Sequence, residues 1–203
     1  MEIEAKFLLP SHLDIRQRIL SLGARSLTGR FLERNTRLDT RDQALAADHK
    51  LLRLRQGIKN TLTVKHATDT FEARQEYEIE IDDYQAALEL LEALGYQKTV
   101  MYEKYREIYA LNDVSLMLDE VPYGCFIEIE GQELELIQAV AIQLGLDWST
   151  RVQRSYIAMF NRLRERLGFD FEDLTFSNFA SIGLVPQDLL QQVSAGHWGE
   201  TTM

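Results

Sequence analysis

Glu2, Glu4 and Lys6 stand at alternate positions of the opening stretch, with Ile3, Ala5 and Phe7 between them. Successive side chains of a β-strand point to opposite faces, so the carboxylates and the ammonium share one face and the apolar groups the other. The arrangement recurs: Arg53 with Arg55; Thr61 and Thr63 with Lys65; Arg74, Glu76, Glu78 and Glu80; Lys104 with Arg106; Met117 with Asp119; Glu128 with Glu130. A half-exposed sheet usually mixes Thr, Ser, Lys and Gln on its outer face, whereas nearly every such position here is ionisable. Carboxylates are hard oxygen ligands suited to magnesium or manganese, and Arg and Lys suit phosphate oxygens, Arg by bidentate contacts. A polyphosphate carrying a divalent metal satisfies both sets at once.

The elements that must position these groups follow from periodicity and turn chemistry. A helix capped by Ser11 and ended by Gly23 places Ile15, Ile19 and Leu22 on one face. Strands are predicted over about 27–39, 50–57, 60–66, 71–81, 97–111, 114–120 and 125–131, with a hairpin turn at Gly57-Ile58-Lys59-Asn60 and a loop or short helical turn over 43–50. Further helices are predicted from Asp82 or Asp83 to Gly95, over 133–144 and over 150–167. Their apolar stripes need a partner, and the apolar strand faces are the large surface available. If roughly eight antiparallel strands curl into a barrel, the ionic face becomes its lumen, the inverse of an ordinary small barrel. Such a lumen cannot be dry, because isolated charges in low dielectric are costly and pairing offsets the cost only in part.

The 203 residues and 23.5 kDa suit one core, expected as a domain over 1–168 with a carboxy-terminal helical tail, 169–203, packed on it through Phe169, Phe171, Phe176 and Phe179. A net charge of −10 argues against nucleic acid and anionic membranes as partners. Cys125 is the single cysteine, which excludes an intrachain disulfide and a cysteine-based zinc cage. No apolar run approaches a membrane span and the amino terminus enters a charged strand at once, so a cytoplasmic location is expected. His12, His49, His66 and His197 are dispersed and read as surface or loop positions. The sequence sets no oligomeric state.

The order Glu-x-Glu-x-Lys, Arg-x-Arg, Thr-x-Lys, Arg-x-Glu-x-Glu, Lys-x-Arg, Asp and Glu-x-Glu over residues 2 to 130 resembles the CYTH, or triphosphate tunnel metalloenzyme, superfamily. Arg154-Ser155-Tyr156 is similar to that family's carboxy-terminal helix motif. The resemblance implies an α+β fold, an eight-stranded antiparallel closed β-barrel or tunnel with a charged lumen and helices packed outside. It also implies magnesium- or manganese-dependent chemistry on a triphosphate-containing small molecule: inorganic triphosphate, thiamine triphosphate or a nucleotide. Carried over by motif, Glu2, Glu4, Glu128 and Glu130 are metal ligands, with Glu76, Glu78 and Asp119 supporting. Lys6, Arg53, Arg55, Lys65, Arg74 and Arg106 hold phosphates, with Lys104 a softer member. Lys6, Glu4 and Glu130 are the expected catalytic residues, Lys6 lying against the transferred phosphoryl group. The stretch Arg37-Leu38-Asp39-Thr40 is similar to a family segment that usually has aromatics before the Asp-Thr, and departs from it. The expected reaction is phosphohydrolysis. The alternatives are a class IV adenylyl cyclase, in which pyrophosphate leaves ATP, and a non-catalytic polyphosphate-binding module, against which the duplicated carboxylates speak.

Overall fold

Alternation of side chains along the chain becomes a large antiparallel sheet in the computed structural model, which describes residues 2–67, 73–183 and 185–195, the side chains of Glu2, Ala67, Ala73 and Arg74 excepted. The strands are β1 (Glu2–Leu9), β2 (Arg25–Ser26), β3 (Phe31–Thr40), β4 (Lys50–Gln56), β5 (Asn60–Ala67), β6 (Ala73–Ile81), β7 (Tyr96–Leu111), β8 (Val114–Val121) and β9 (Gly124–Gly131). The helices are α1 (Leu13–Ser21), α2 (Ala44–Ala47), α3 (Tyr84–Ala93), α4 (Leu134–Gln143), α5 (Tyr156–Leu167), α6 (Phe176–Phe179) and α7 (Gln187–Ser194). The fold class is therefore α+β. The strand order is β2-β7-β3-β4-β5-β6-β1-β9-β8, and β8 also pairs with β7, from Tyr105↔Glu120 to Leu111↔Val114.

Register carries the charged rows into alignment. Glu4 lies opposite Glu130 and Lys6 opposite Glu128 across β1 and β9, and Met117 opposite Glu128 across β8 and β9. On the other side Arg53 lies opposite both Arg37 and Thr63, and Thr63 opposite Glu78. Because side chains alternate strictly in a strand, a one-residue slip in any of these pairings would turn the charged set outward.

The apolar faces point the other way, into helices. Phe7, Leu116, Ile127 and Ile129 are buried with Ile15 and Ile19 of α1 and Ile137, Val140 and Ala141 of α4. Leu38, Leu52 and Leu54 are buried with Leu91 of α3. A third cluster joins Phe126 and Tyr123 to Ile157, Phe160 and Leu163 of α5, Phe179 of α6 and Leu190 and Val193 of α7. The segment around Leu174 lies along β7, its N–H bonded to the Met101 carbonyl and its carbonyl to the Glu103 N–H.

Several sequence expectations need correction. The amino-terminal cap of α1 is His12, which makes no side-chain capping bond, and Ser11 Oγ accepts only a 3.4 Å bond from the Leu13 N–H. The strand predicted from about 27 starts only at Phe31 as β3, since the Leu27 and Thr28 N–H groups donate to the Ile108 carbonyl instead, and the short β2 before them was not predicted. The helix predicted over 150–167 starts at Tyr156, because Ser155 is extended and its hydroxyl accepts from the Ala158 N–H; Trp148–Thr150 forms a separate 3-10 turn. Between them the Val152 N–H donates to the Lys6 carbonyl at 2.7 Å, so the chain runs along β1 before it turns into α5. Asp83 does cap α3, accepting from the Gln85 and Ala86 N–H groups.

Candidate functional site

The inner faces of the strands enclose a cavity of about 490 Å³. β1 contributes Glu4 and Lys6, β9 Glu128 and Glu130, β7 Tyr102, Lys104 and Arg106, β4 Arg53 and Arg55, β5 Lys65, β6 Glu76 and Glu78, and β3 Arg37. Asp119 does not line the cavity surface but sits fully buried behind it, bonded to groups that do. Side chains of Glu2 and Arg74 lie outside the described residues; their backbones pair across β1 and β6. Glu80 keeps the inward register opposite Thr61, yet it is exposed and pairs with Lys59 at the rim.

One side of the cavity is a dense ionic cluster. Arg106 clasps Asp119 through Nε–Oδ1 and Nη2–Oδ2 contacts of 2.6 Å each, and its Nη2 also donates to Glu128. Lys104 donates to Asp119 at 2.9 Å and approaches Glu33 at 3.5 Å. Lys6 bridges Glu128 at 3.1 Å and Glu4 at 3.4 Å. Tyr156, the first residue of α5, reaches into this cluster: its hydroxyl donates to Asp119 at 3.0 Å, and the Lys6 ammonium lies 4.3 Å from its ring centroid.

These contacts decide the protonation states. Burial alone would depress the Lys6 ammonium, but Glu128, Glu4 and Asp119 outweigh it and hold the lysine above its ordinary value. Burial would likewise neutralise Glu128, yet Lys6, Lys104 and Arg106 pull it well below the usual carboxylate range. Glu33 is held low in the same way, burial being overcome by Lys104, Arg106 and Arg55. The Tyr156 phenol is pushed well above its ordinary value by burial and by Asp119 and Glu128, so it stays a donor. Lys6 is therefore a fixed ammonium and Glu128 a fixed carboxylate.

The opposite side is looser. Arg53, buried on β4, approaches Glu76 and Glu78 at 3.6 Å each, beyond good hydrogen-bonding distance, and donates to Thr63 Oγ1 at 3.3 Å. Its buried Nε has no hydrogen-bond partner among the described residues. Arg55 Nε donates to Asn35 at 3.3 Å, Lys65 pairs with Glu76 at 2.5 Å, and Glu78 accepts from Thr63 at 2.6 Å.

Among the described residues no three or more carboxylates or imidazoles form a ready cage for a metal ion. Glu4 and Glu130 nevertheless lie directly opposite across β1 and β9, an arrangement of like charges that a cation relieves. Hard oxygens in small number suit magnesium or manganese, which commonly take one or two carboxylates and complete their coordination with water and phosphate.

Glu33, Asn35, Arg37 and Tyr102 were not legible as inner-face residues. Along Phe31–Thr40 charged and polar groups occupy both faces, and a register shift between Arg37 and Leu38 breaks the alternation. Tyr102 reads from sequence as a packing aromatic. Asp39, in the segment departing from the family pattern, accepts from the Thr40, Leu45 and Ala46 N–H groups and so anchors α2. His66 lies on the outer register of β5, and the half-buried Cys125 thiol is pushed up by burial and by Glu120.

A family model described as the CYTH domain matches residues 1–156. The PH1012 protein of Pyrococcus horikoshii is 31% identical, with a TM-score of 0.67 over 77% of this chain and 97% of that one. A candidate adenylate cyclase from Vibrio parahaemolyticus shares the fold at 22% identity and a TM-score of 0.69, covering 76% of this chain and 94% of its own. HpAC1 from Hippeastrum, a candidate adenylyl cyclase described as having a dominant triphosphatase activity, shares it at 22% identity and a TM-score of 0.60, over 80% of this chain and 96% of its own. No curated protein matches the sequence. Among the described residues no helix is long and apolar enough to cross a membrane.

Proposed function

This chain belongs to the CYTH domain family, and we propose that it is a divalent-metal-dependent phosphohydrolase that acts on triphosphate-containing substrates inside a closed β-barrel tunnel. The pairing of β8 with both β9 and β7 supports closure. The observation that carries the proposal is that a single cavity is lined by Lys6, Arg53, Arg55, Lys65, Lys104 and Arg106 together with Glu4, Glu76, Glu78, Glu128 and Glu130. Cations alone would suit an anion receptor; the carboxylates suit a substrate that brings metal with it.

In this reading Glu4 and Glu130, with Glu2 and Glu128, hold magnesium or manganese, and Glu76, Glu78 and Asp119 support them. The metal, when bound, neutralises phosphate charge and lowers the pKa of a bound water. Lys6, kept protonated by its carboxylate neighbours, lies against the phosphoryl group being transferred and stabilises the charge that develops on it. Arg53, Arg55, Lys65 and Arg74 hold the remaining phosphates, and Arg106 and Lys104, fixed by Asp119, preset the positive wall. Apart from the aliphatic Leu51, Ile108 and Met117, the described apolar lining consists of Tyr102 and Tyr156, both buried beside cations. Neither ring is open for an adenine to stack on, which favours hydrolysis over cyclisation.

The test is to incubate purified protein with inorganic triphosphate, thiamine triphosphate and ATP, each with magnesium or manganese, and to measure released phosphate and cyclic AMP. Metal-dependent phosphate release without cyclic AMP is expected. Cyclic AMP and pyrophosphate as the main products from ATP would replace hydrolysis with cyclisation, and binding without turnover under either metal would leave a sensor.

A further inference from the structure

Arg37 and Arg53 lie directly opposite each other on β3 and β4, and both line the cavity. Like charges in direct cross-strand register destabilise a sheet, and here one of them, Arg53, is only 7% exposed. Its ion pairs are long at 3.6 Å, and its buried Nε finds no partner among the described residues. Against this pair stands Tyr102 of β7, a cavity-lining side chain whose ring centroid is 5.7 Å from the Arg37 guanidinium. We propose that Arg37, Arg53 and Tyr102 form an anion subsite that holds one phosphoryl group of the bound substrate, on the wall across from Lys6.

The chemistry of the corner supports this. A guanidinium pair with a hydroxyl beside it offers forked donors and a single rotating donor, which suits the several oxygens of a phosphoryl group. An anion between the arginines would convert their repulsion into two attractions and supply the acceptor that Arg53 Nε lacks. Burial would raise the Tyr102 pKa, but Arg53, Arg37 and Lys104 outweigh it and bring it below the ordinary phenol value, with Glu33 opposing them. The corner's position also sets a division of labour: β3 is separated from β1 by β4, β5 and β6 in the strand order, so a substrate reaching both Lys6 and Arg37 must span the cavity.

The inference rests on the triphosphate reading above, and the experiment separates the two. Binding of inorganic tripolyphosphate in metal-free buffer is measured by calorimetry for the wild type, Arg37→Gln, Tyr102→Phe and Arg41→Gln, alongside kcat and KM for phosphate release with magnesium. Arg41 is exposed at the end of β3 and controls for the loss of one positive charge. Arg37→Gln is expected to weaken binding by about tenfold or more, the usual scale for a lost charge-assisted contact. Tyr102→Phe is expected to raise KM several-fold with little change in kcat and an unchanged unfolding midpoint, since the ring, buried in the same cluster as Leu174, is retained. Wild-type affinity in both variants, or an equal loss in Arg41→Gln, overturns the subsite. A wild type that binds no tripolyphosphate overturns the triphosphate reading itself.

Discussion

Two buried arginines face the same cavity in opposite condition. Arg106 has a bidentate carboxylate at 2.6 Å and a second acid on the same nitrogen, while Arg53 has acids at 3.6 Å and a hydroxyl at 3.3 Å. Taking a guanidinium out of water costs several kcal/mol, which is offset only when geometry is close and the remaining donors are met. The Arg106 corner meets that condition within the protein and so belongs to the scaffold. The Arg53 corner does not, and its missing acceptors are what an anionic ligand brings. One charged lining thus divides into a wall that holds its own shape and a wall whose donors are left for the anion proposed above.

Breaking the tight wall should have the largest effect. Asp119→Ala leaves Arg106, Lys104 and the Tyr156 hydroxyl without their shared acceptor, and a loss of about 3–5 kcal/mol in denaturant unfolding is expected. Lys6→Ala should spare the fold, because Glu128 keeps Arg106, but should reduce phosphate release by about 10²–10³, the scale of one preorganised cationic contact. Acid should attack the same wall. Glu33 and Glu128 sit below the ordinary carboxylate value of 4.5, so their contribution is full above that value and is lost as pH falls below it through their depressed folded values. Unfolding free energy measured from pH 7 downward should be flat until about pH 5 and then decline.

On the loose wall, Arg53→Lys exchanges a planar fork for a point charge, and tripolyphosphate affinity should fall about tenfold while the unfolding midpoint stays near the wild-type value. The smallest effect belongs to the exposed pair of Lys59, in the turn between β4 and β5, and Glu80, which keeps the inward register of β6. Replacing both with Gln should change stability by less than about 0.5 kcal/mol and leave turnover alone.

How far the sequence discloses this division depends on the strand. Over residues 2–7 of β1, 52–55 of β4, 76–81 of β6 and 127–130 of β9, ionisable and apolar residues alternate, and the structure orders those rows as alternation requires. On β3 the pattern fails: Glu33 and Arg34 are adjacent charges, Arg34 turns outward to Glu103, and the register shift after Arg37 removes the period that would have marked the inner face. Tyr102 is invisible for a different reason, since an aromatic at an inner position of a strand usually packs. The sequence alone starts α5 too early because residues 150–154 carry no breaker. Only the Val152 to Lys6 backbone bond, a contact remote in sequence, shows why that segment is extended. Which arginine is saturated was also beyond the sequence, because partner distances depend on how the strands curve together.

Stabilisation by ligand tests the division most directly. Unfolding free energy is measured for the wild type and Arg53→Lys with and without inorganic tripolyphosphate. At a concentration about 100 times the wild-type Kd, the wild type should gain about 2.7 kcal/mol and the variant, binding tenfold more weakly, about 1.4 kcal/mol. Equal gains in the two proteins, or none in either, would contradict an Arg53 wall that is completed by phosphate.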